Sequence, residues 1–146
     1  MLKNIDPRLS PDLLRDLAIL GHNESVLIAD QNFPMGKITA PVHYIPLPTT
    51  DVLSAVLSVF PLEVSSEECI KRMSDPSAPL DEAATAALEV IRRAEPDFAG
   101  FHQPVLAFDQ PELPTGFLHA ALQARVAIVT GDIAYSSYIL RRGLTL

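Results

Sequence analysis

Gly21-His22-Asn23-Glu24-Ser25-Val26-Leu27-Ile28-Ala29-Asp30-Gln31-Asn32-Phe33-Pro34 is the stretch that decides how this chain folds. Ser25 to Ala29 is apolar without polar alternation and carries β-branched Val26 and Ile28, the pattern of a short strand covered on both faces. Polar groups stand at both of its ends, His22 before it and Asp30 after it. Upstream, Ser10-Pro11-Asp12 reads as an N-cap, a first helical position and an acidic first turn, with Leu13, Leu14, Leu17 and Leu20 as the apolar stripe. Gly21 is expected to stop that helix in a left-handed conformation, which delivers His22 to a loop at the sheet edge. Fully extended, the strand spans about 16 Å at about 3.3 Å per residue, so His22 and Asp30 touch only if Gly21 to Glu24 folds back along it. Otherwise each side chain contributes separately.

Outward from this strand, Gln31 to Thr39 is a loop containing Pro34 and Gly36, and Val42 to Ile45 reads as a second strand ended by Pro46 and Pro48. Thr49 or Thr50 caps a helix whose Val52, Leu53, Val56, Leu57, Val59 and Phe60 recur at helical spacing until Pro61. From Leu62 to Met73 the residues alone leave the structure open, with Ser66-Glu67-Glu68 able to open a short helix. Asp81 to Ala94 is Ala-rich, with Leu88 and Ile91 on one face and Arg92 and Arg93 in the last turn, a helix by propensity and dipole. Phe101 to Phe108 contains Pro104, so any strand there belongs at an edge. Gly116 to Gln123 reads as a helix turning Phe117, Ala120 and Ala121 inward. Arg125 to Thr130 follows as a buried strand, Gly131-Asp132 as a turn and Tyr138 to Arg141 as the last strand. Helices alternating with apolar strands predict an α/β fold with helices on both faces of a sheet.

The chain has 146 residues, 48% of them hydrophobic, which suits a single folded domain over residues 1–146. A formal charge of −7 with scattered Lys and Arg argues against nucleic acid or an anionic membrane as partner. The single cysteine, Cys69, excludes an internal disulfide framework and a thiolate metal cluster, and no two histidines sit at ligand spacing on one element. No export or membrane-spanning segment is evident, so a cytoplasmic location is the default expectation. Gly21-His22-Asn23 lacks the glycine pattern of a phosphate-cradling loop, which makes a nucleotide cofactor unexpected.

Two blocks at the ends of the chain carry a family resemblance. Leu2-Lys3-Asn4-Ile5, Leu9-Ser10-Pro11, Leu13-Leu14, Gly21-His22, Ala29-Asp30 and Asn32-Phe33-Pro34 resemble the N-terminal signature of the D-ribose pyranase and L-fucose mutarotase family. Thr130-Gly131-Asp132, Tyr135 and Ile139-Leu140-Arg141-Arg142-Gly143 resemble its closing segment, and the run from Asp51 to Glu63 also fits. The opening and closing blocks are nearer the fucose side. The resemblance implies a three-layer α/β/α domain with a central mixed, largely parallel sheet, including a strand near Leu62 to Met73. It also implies a cofactor-free and metal-free mutarotase acting on a monosaccharide such as L-fucose, and a homo-oligomer, often a decamer, with sites completed by a neighbouring subunit.

Within the family pattern, His22 and Asp30 match catalytic positions, and Tyr135 matches the tyrosine of a C-terminal triplet that contacts sugar. Ser137 stands where that triplet has asparagine, and the segment is one residue short, so Tyr138 competes with Tyr135 for the register. Where fucose-type members carry tyrosine and arginine, this chain has Leu118 and Ala120. His119 lies close enough to substitute, and Asp132 replaces the family's glutamate as a structural or lining group. The residues alone allow plainer readings: His22 against helix-end carbonyls, Asp30 as a turn former, Tyr135 as a core or interface aromatic, His119 as a solvated helix residue. His43 and His102 read as surface residues. Two other activities stay open: a non-catalytic sugar-binding or regulatory protein on the same scaffold, and a ribose pyranase-like enzyme.

Overall fold

The computed structural model describes residues 2–66, 68–74, 82–100, 105–106 and 116–145. The first helix, α1 (Pro11–Ala18), starts as its sequence dictates: the Ser10 hydroxyl accepts from the Leu13 amide at 3.1 Å, and Leu13 and Leu17 turn inward. Its end differs from expectation. The helix closes at Ala18 with Ile19 still right-handed, Gly21 does not adopt positive φ, and the left-handed residue is Asn23 at φ 66°. Asparagine tolerates that conformation, and its amide donates to the Arg142 carbonyl at 2.8 Å, which ties the turn to the last strand.

β1 (Ser25–Ala29) sits inside a six-stranded mixed sheet with β2 (Val42–Tyr44), β3 (Ile70–Ser74), β4 (Val105–Leu106), β5 (Val126–Val129) and β6 (Tyr138–Arg141). The order is β2-β5-β1-β6-β3-β4, with β6 antiparallel to both neighbours and the remaining pairs parallel. The expected strand in the open Leu62 to Met73 segment is therefore β3. β4 takes the edge, as a strand following Pro104 must.

Alternation along β1 sorts the core into two layers. Val26 and Ile28 join α1, α2 (Thr49–Leu57) and α3 (Glu82–Ala94) on one face, while Leu27 and Ala29 join α4 (Phe117–Leu122) and Phe33 on the other. This is the expected three-layer α/β/α arrangement. Each fully buried Leu, Ile or Val contributes about 1.5–3 kcal/mol relative to exposure, so the doubly covered β1 and β5 are the centre of stability.

Three further details depart from the sequence reading. α2 is not capped by Thr49 or Thr50: Thr49 is its first residue, Pro48 precedes it without a side-chain cap, and the Thr49 amide donates instead to Asp132 at 3.1 Å. The helix also closes at Leu57, before Pro61. His43 is not a surface residue, because its Nε2 pairs with Asp16 of α1 at 2.7 Å in a largely buried contact. His102 lies outside the described residues. No helix among the described residues is long and apolar enough to cross a membrane.

Candidate active site

Asp30 leaves the carboxyl end of β1, the position where open α/β sheets place ligands. It is 1% exposed, and its carboxylate is held by three donors. The Asn32 amide reaches Oδ1 at 3.0 Å, and the Ser136 amide and Ser137 hydroxyl reach Oδ2 at 3.2 and 3.0 Å. The Asn32 contact is the self-bonded turn that the sequence allowed; the other two come from the loop before β6. A carboxylate cannot be buried without such partners, and here two of the three come from chain more than a hundred residues away. Its backbone amide donates in turn to the Ser137 hydroxyl at 3.0 Å.

Beside Asp30 opens a cavity of about 220 Å³. Phe33, Met73, Leu118 and Tyr135 are among its walls, and Asn32 adds a polar edge. Phe33 is locked edge-on to Phe117 of α4, ring centroids 5.8 Å apart, which fixes the loop after β1 against that helix. Tyr135 is 46% exposed and adopts φ 51°, a left-handed conformation costly for a bulky side chain and one that persists only where neighbours impose it. Tyr138, the competing tyrosine, is buried in β6 and lies outside this lining.

The two polar ends of β1 do not meet. His22 lies before the strand, and its Nε2 hydrogen-bonds the Glu63 carboxylate, which also accepts from the Ser65 hydroxyl. Those contacts, the Ser65 bond first and the His22 bond next, hold the Glu63 carboxyl below its ordinary value. A depressed carboxylate contributes stability above its unfolded value and loses it as pH falls through the folded value. Acid unfolding of Glu63→Gln is therefore expected to lack part of the low-pH decline of the unsubstituted protein, as circular dichroism would report.

Ser137 is fully buried and faces Asp30 rather than the open cavity. His119 is on α4 next to Leu118, with its Nε2 3.2 Å from the side-chain Nε2 of Gln123, and is not in the cavity lining. Sequence reasoning passed over Glu63, Ser136, Thr49 and Thr130. Glu63 ends the Asp51 to Glu63 run, Thr130 opens the Thr130-Gly131-Asp132 block and Thr49 read as a helix cap, while Ser136 had no local signal. Among the described residues no three His, Cys, Asp or Glu side chains converge as a metal-ligand set.

Comparison with known proteins gives one answer. A model of the RbsD / FucU transport protein family matches residues 3–145. The L-fucose mutarotase of Haemophilus influenzae (strain 86-028NP) is 30% identical over 154 residues, covering 99% of this chain and 98% of that protein. The crystal structure of protein Atu2016 superposes with a TM-score of 0.87 at 30% identity, covering 100% of this chain and 97% of the other. FucU from Bifidobacterium longum shares the fold, with a TM-score of 0.83 at 24% identity and coverage of 99% and 100%. By its sequence from end to end, this chain belongs to the RbsD / FucU transport protein family.

Proposed function

We propose that this protein is a mutarotase that interconverts the anomers of a monosaccharide, L-fucose or a close relative. The observation that carries the reading is the buried, triply bonded Asp30 carboxylate beside a sugar-sized cavity with Tyr135 at its rim, in a relative of L-fucose mutarotases. The chemistry needs an acid to protonate the ring oxygen and a base to take the proton of the anomeric hydroxyl. The ring opens to the aldehyde, the carbonyl turns, and closure on the other face returns both protons. Two proton-transfer groups and neutral hydrogen-bond partners suffice, so the reaction calls for no cofactor or metal.

His22 is the proton carrier in this reading, since histidine serves best in exchange near neutral pH. Glu63 holds its Nε2–H, which leaves Nδ1 for the substrate. Asp30 is the second catalytic group, taking a proton or binding a hydroxyl, and Tyr135 fixes the ring. Ser137 serves the sugar through Asp30, and His119 supplies a polar group near Leu118. Because His22 and Asp30 occupy opposite ends of β1, the working site takes His22 from one copy and Asp30 from another. That requires a homo-oligomer, a decamer on the family pattern. Residues 1–146 then act as one cytoplasmic domain.

Removing the carboxylate partner by Glu63→Gln is expected to slow exchange about tenfold or more by releasing the imidazole orientation, an effect known in other acid–base sites. Initial rates at saturating sugar check it. A second reading, a sugar-binding or regulatory protein, draws on Leu118 and Ala120, which replace polar residues of fucose-type members. Saturation-transfer NMR on equilibrated L-fucose, D-ribose and D-galactose separates the readings. Accelerated exchange of L-fucose is expected; acceleration of D-ribose alone selects the pyranase-like alternative, and saturable binding with no acceleration selects the regulatory one.

A further inference from the structure

We infer that Asp132, which does not line the cavity, is the positioning residue for both Asp30 and Tyr135. This inference rests on the functional reading above only for its effect on sugar. Asp132 follows Gly131, whose amide donates to the Leu47 carbonyl at 2.7 Å and whose Cβ position lies 3.2 Å from the Pro46 and Leu47 backbone, so β5 turns tightly against the chain that enters α2. From that turn the Asp132 carboxylate does two things with one oxygen. Oδ2 accepts from the Thr49 amide at 3.1 Å, capping α2, and from the Ser136 hydroxyl at 2.8 Å. Its carbonyl accepts the Gln31 amide at 2.8 Å, which clamps the loop after β1.

Ser136 is the relay. It is 5% exposed, its side chain is anchored on Asp132, and its amide is one of the three donors to Asp30. Its carbonyl faces the Thr49 hydroxyl at 3.3 Å, and that hydroxyl lies 3.0 Å from Thr130. A residue tied at side chain, amide and carbonyl fixes the peptide before it, and that peptide belongs to Tyr135. The left-handed conformation of Tyr135 needs such an external hold, because a tyrosine does not adopt it unaided. Asp132 thus gathers the start of α2 and the loop before β6 through its carboxylate, and the loop after β1 through its backbone carbonyl, around one oxygen-rich knot. Orientation of the two residues at the cavity is set from there.

The test compares Asp132→Ala, Asp132→Glu and Ser136→Ala with the unsubstituted protein. Backbone NMR reads the Tyr135 conformation and the hydrogen-exchange protection of the Ser136 amide, and titration with L-fucose reads affinity. Asp132→Ala is expected to shift Tyr135 away from positive φ, to lose the protection of the Ser136 amide and to weaken sugar binding about tenfold, the size of one loosened hydrogen bond to a charged group. Ser136→Ala, which leaves the α2 cap intact, is expected to move the same three readouts in the same direction. Asp132→Glu, the residue type of the family pattern, restores them. If Asp132→Ala lowers only the melting temperature and leaves Tyr135, Ser136 and affinity unchanged, Asp132 is a helix cap and the inference fails. If the unsubstituted protein binds no sugar, the functional reading fails, while the Tyr135 and Ser136 readouts still decide the inference.

Discussion

Asp30→Asn is expected to slow anomer exchange by about 10²–10⁴, the span usually lost with a positioned acid or base, while the protein stays folded. Asparagine keeps the shape, which matters because alanine would strand three donors at once: the Asn32 amide, the Ser136 amide and the Ser137 hydroxyl. The two donors at Oδ2 fix the asparagine oxygen on that side, so its amide nitrogen faces the Asn32 amide, donor against donor. That mismatch costs about 1–3 kcal/mol. Chemical denaturation should show a drop of this size, and exchange assays a far larger loss. Activity that falls only in step with stability would move Asp30 from the chemistry to the scaffold.

Gly143→Ala carries the largest expected effect outside the cavity, and it reaches the site from behind. A Cβ at Gly143 would lie 2.7 Å from the Leu62 carbonyl oxygen, 2.9 Å from its carbon and 3.1 Å from the Glu63 nitrogen. All three are backbone atoms with no rotamer to yield. The same strip is pinned by the Gly143 amide on Pro61 at 2.8 Å and the Glu63 amide on Arg141 at 2.9 Å, so relief means breaking one of these. Overpacking of this kind costs about 1–3 kcal/mol. Because the displaced residue is Glu63, the contact with His22 should loosen as well. The expected result is a melting temperature lower by several degrees together with slower exchange; an unchanged protein would show that the strip shifts freely.

The parts of the fold legible in sequence are those whose reasons are local. α1 and its flanks carry the cap, proline and leucine stripe between Ser10 and Leu20, and β1 after Ser25 and the whole of β5 are apolar, so these elements were readable from spacing alone. β3 was not, because Lys71 and Arg72 interrupt the apolar pattern and its strand state comes from pairing with β6. Gly21 misled for a related reason: Asn23 supplies the left-handed turn and a bond to Arg142 secures it, a partner that no local pattern announces. In the site, Asp30 and Tyr135 stood out through their motifs. Ser136 did not, since its importance lies in bonds to Asp30, 106 residues back, and to Asp132 and Thr49. Ser137 read as a sugar contact because the family has an amide there; its hydroxyl bonds the Asp30 amide and carboxylate among the described residues, a link no local pattern announces.

The central claim is that His22 of one copy and Asp30 of another form one working site. Co-expression of His22→Ala chains with Asp30→Asn chains tests it, using L-fucose exchange by saturation transfer as the readout. Each variant alone is expected to be nearly inactive. In mixed oligomers random pairing leaves roughly a quarter of shared sites with both native groups, so about a quarter of the native rate should return. Mixed oligomers as inactive as either parent would contradict the claim, because every site would then draw both residues from the same chain.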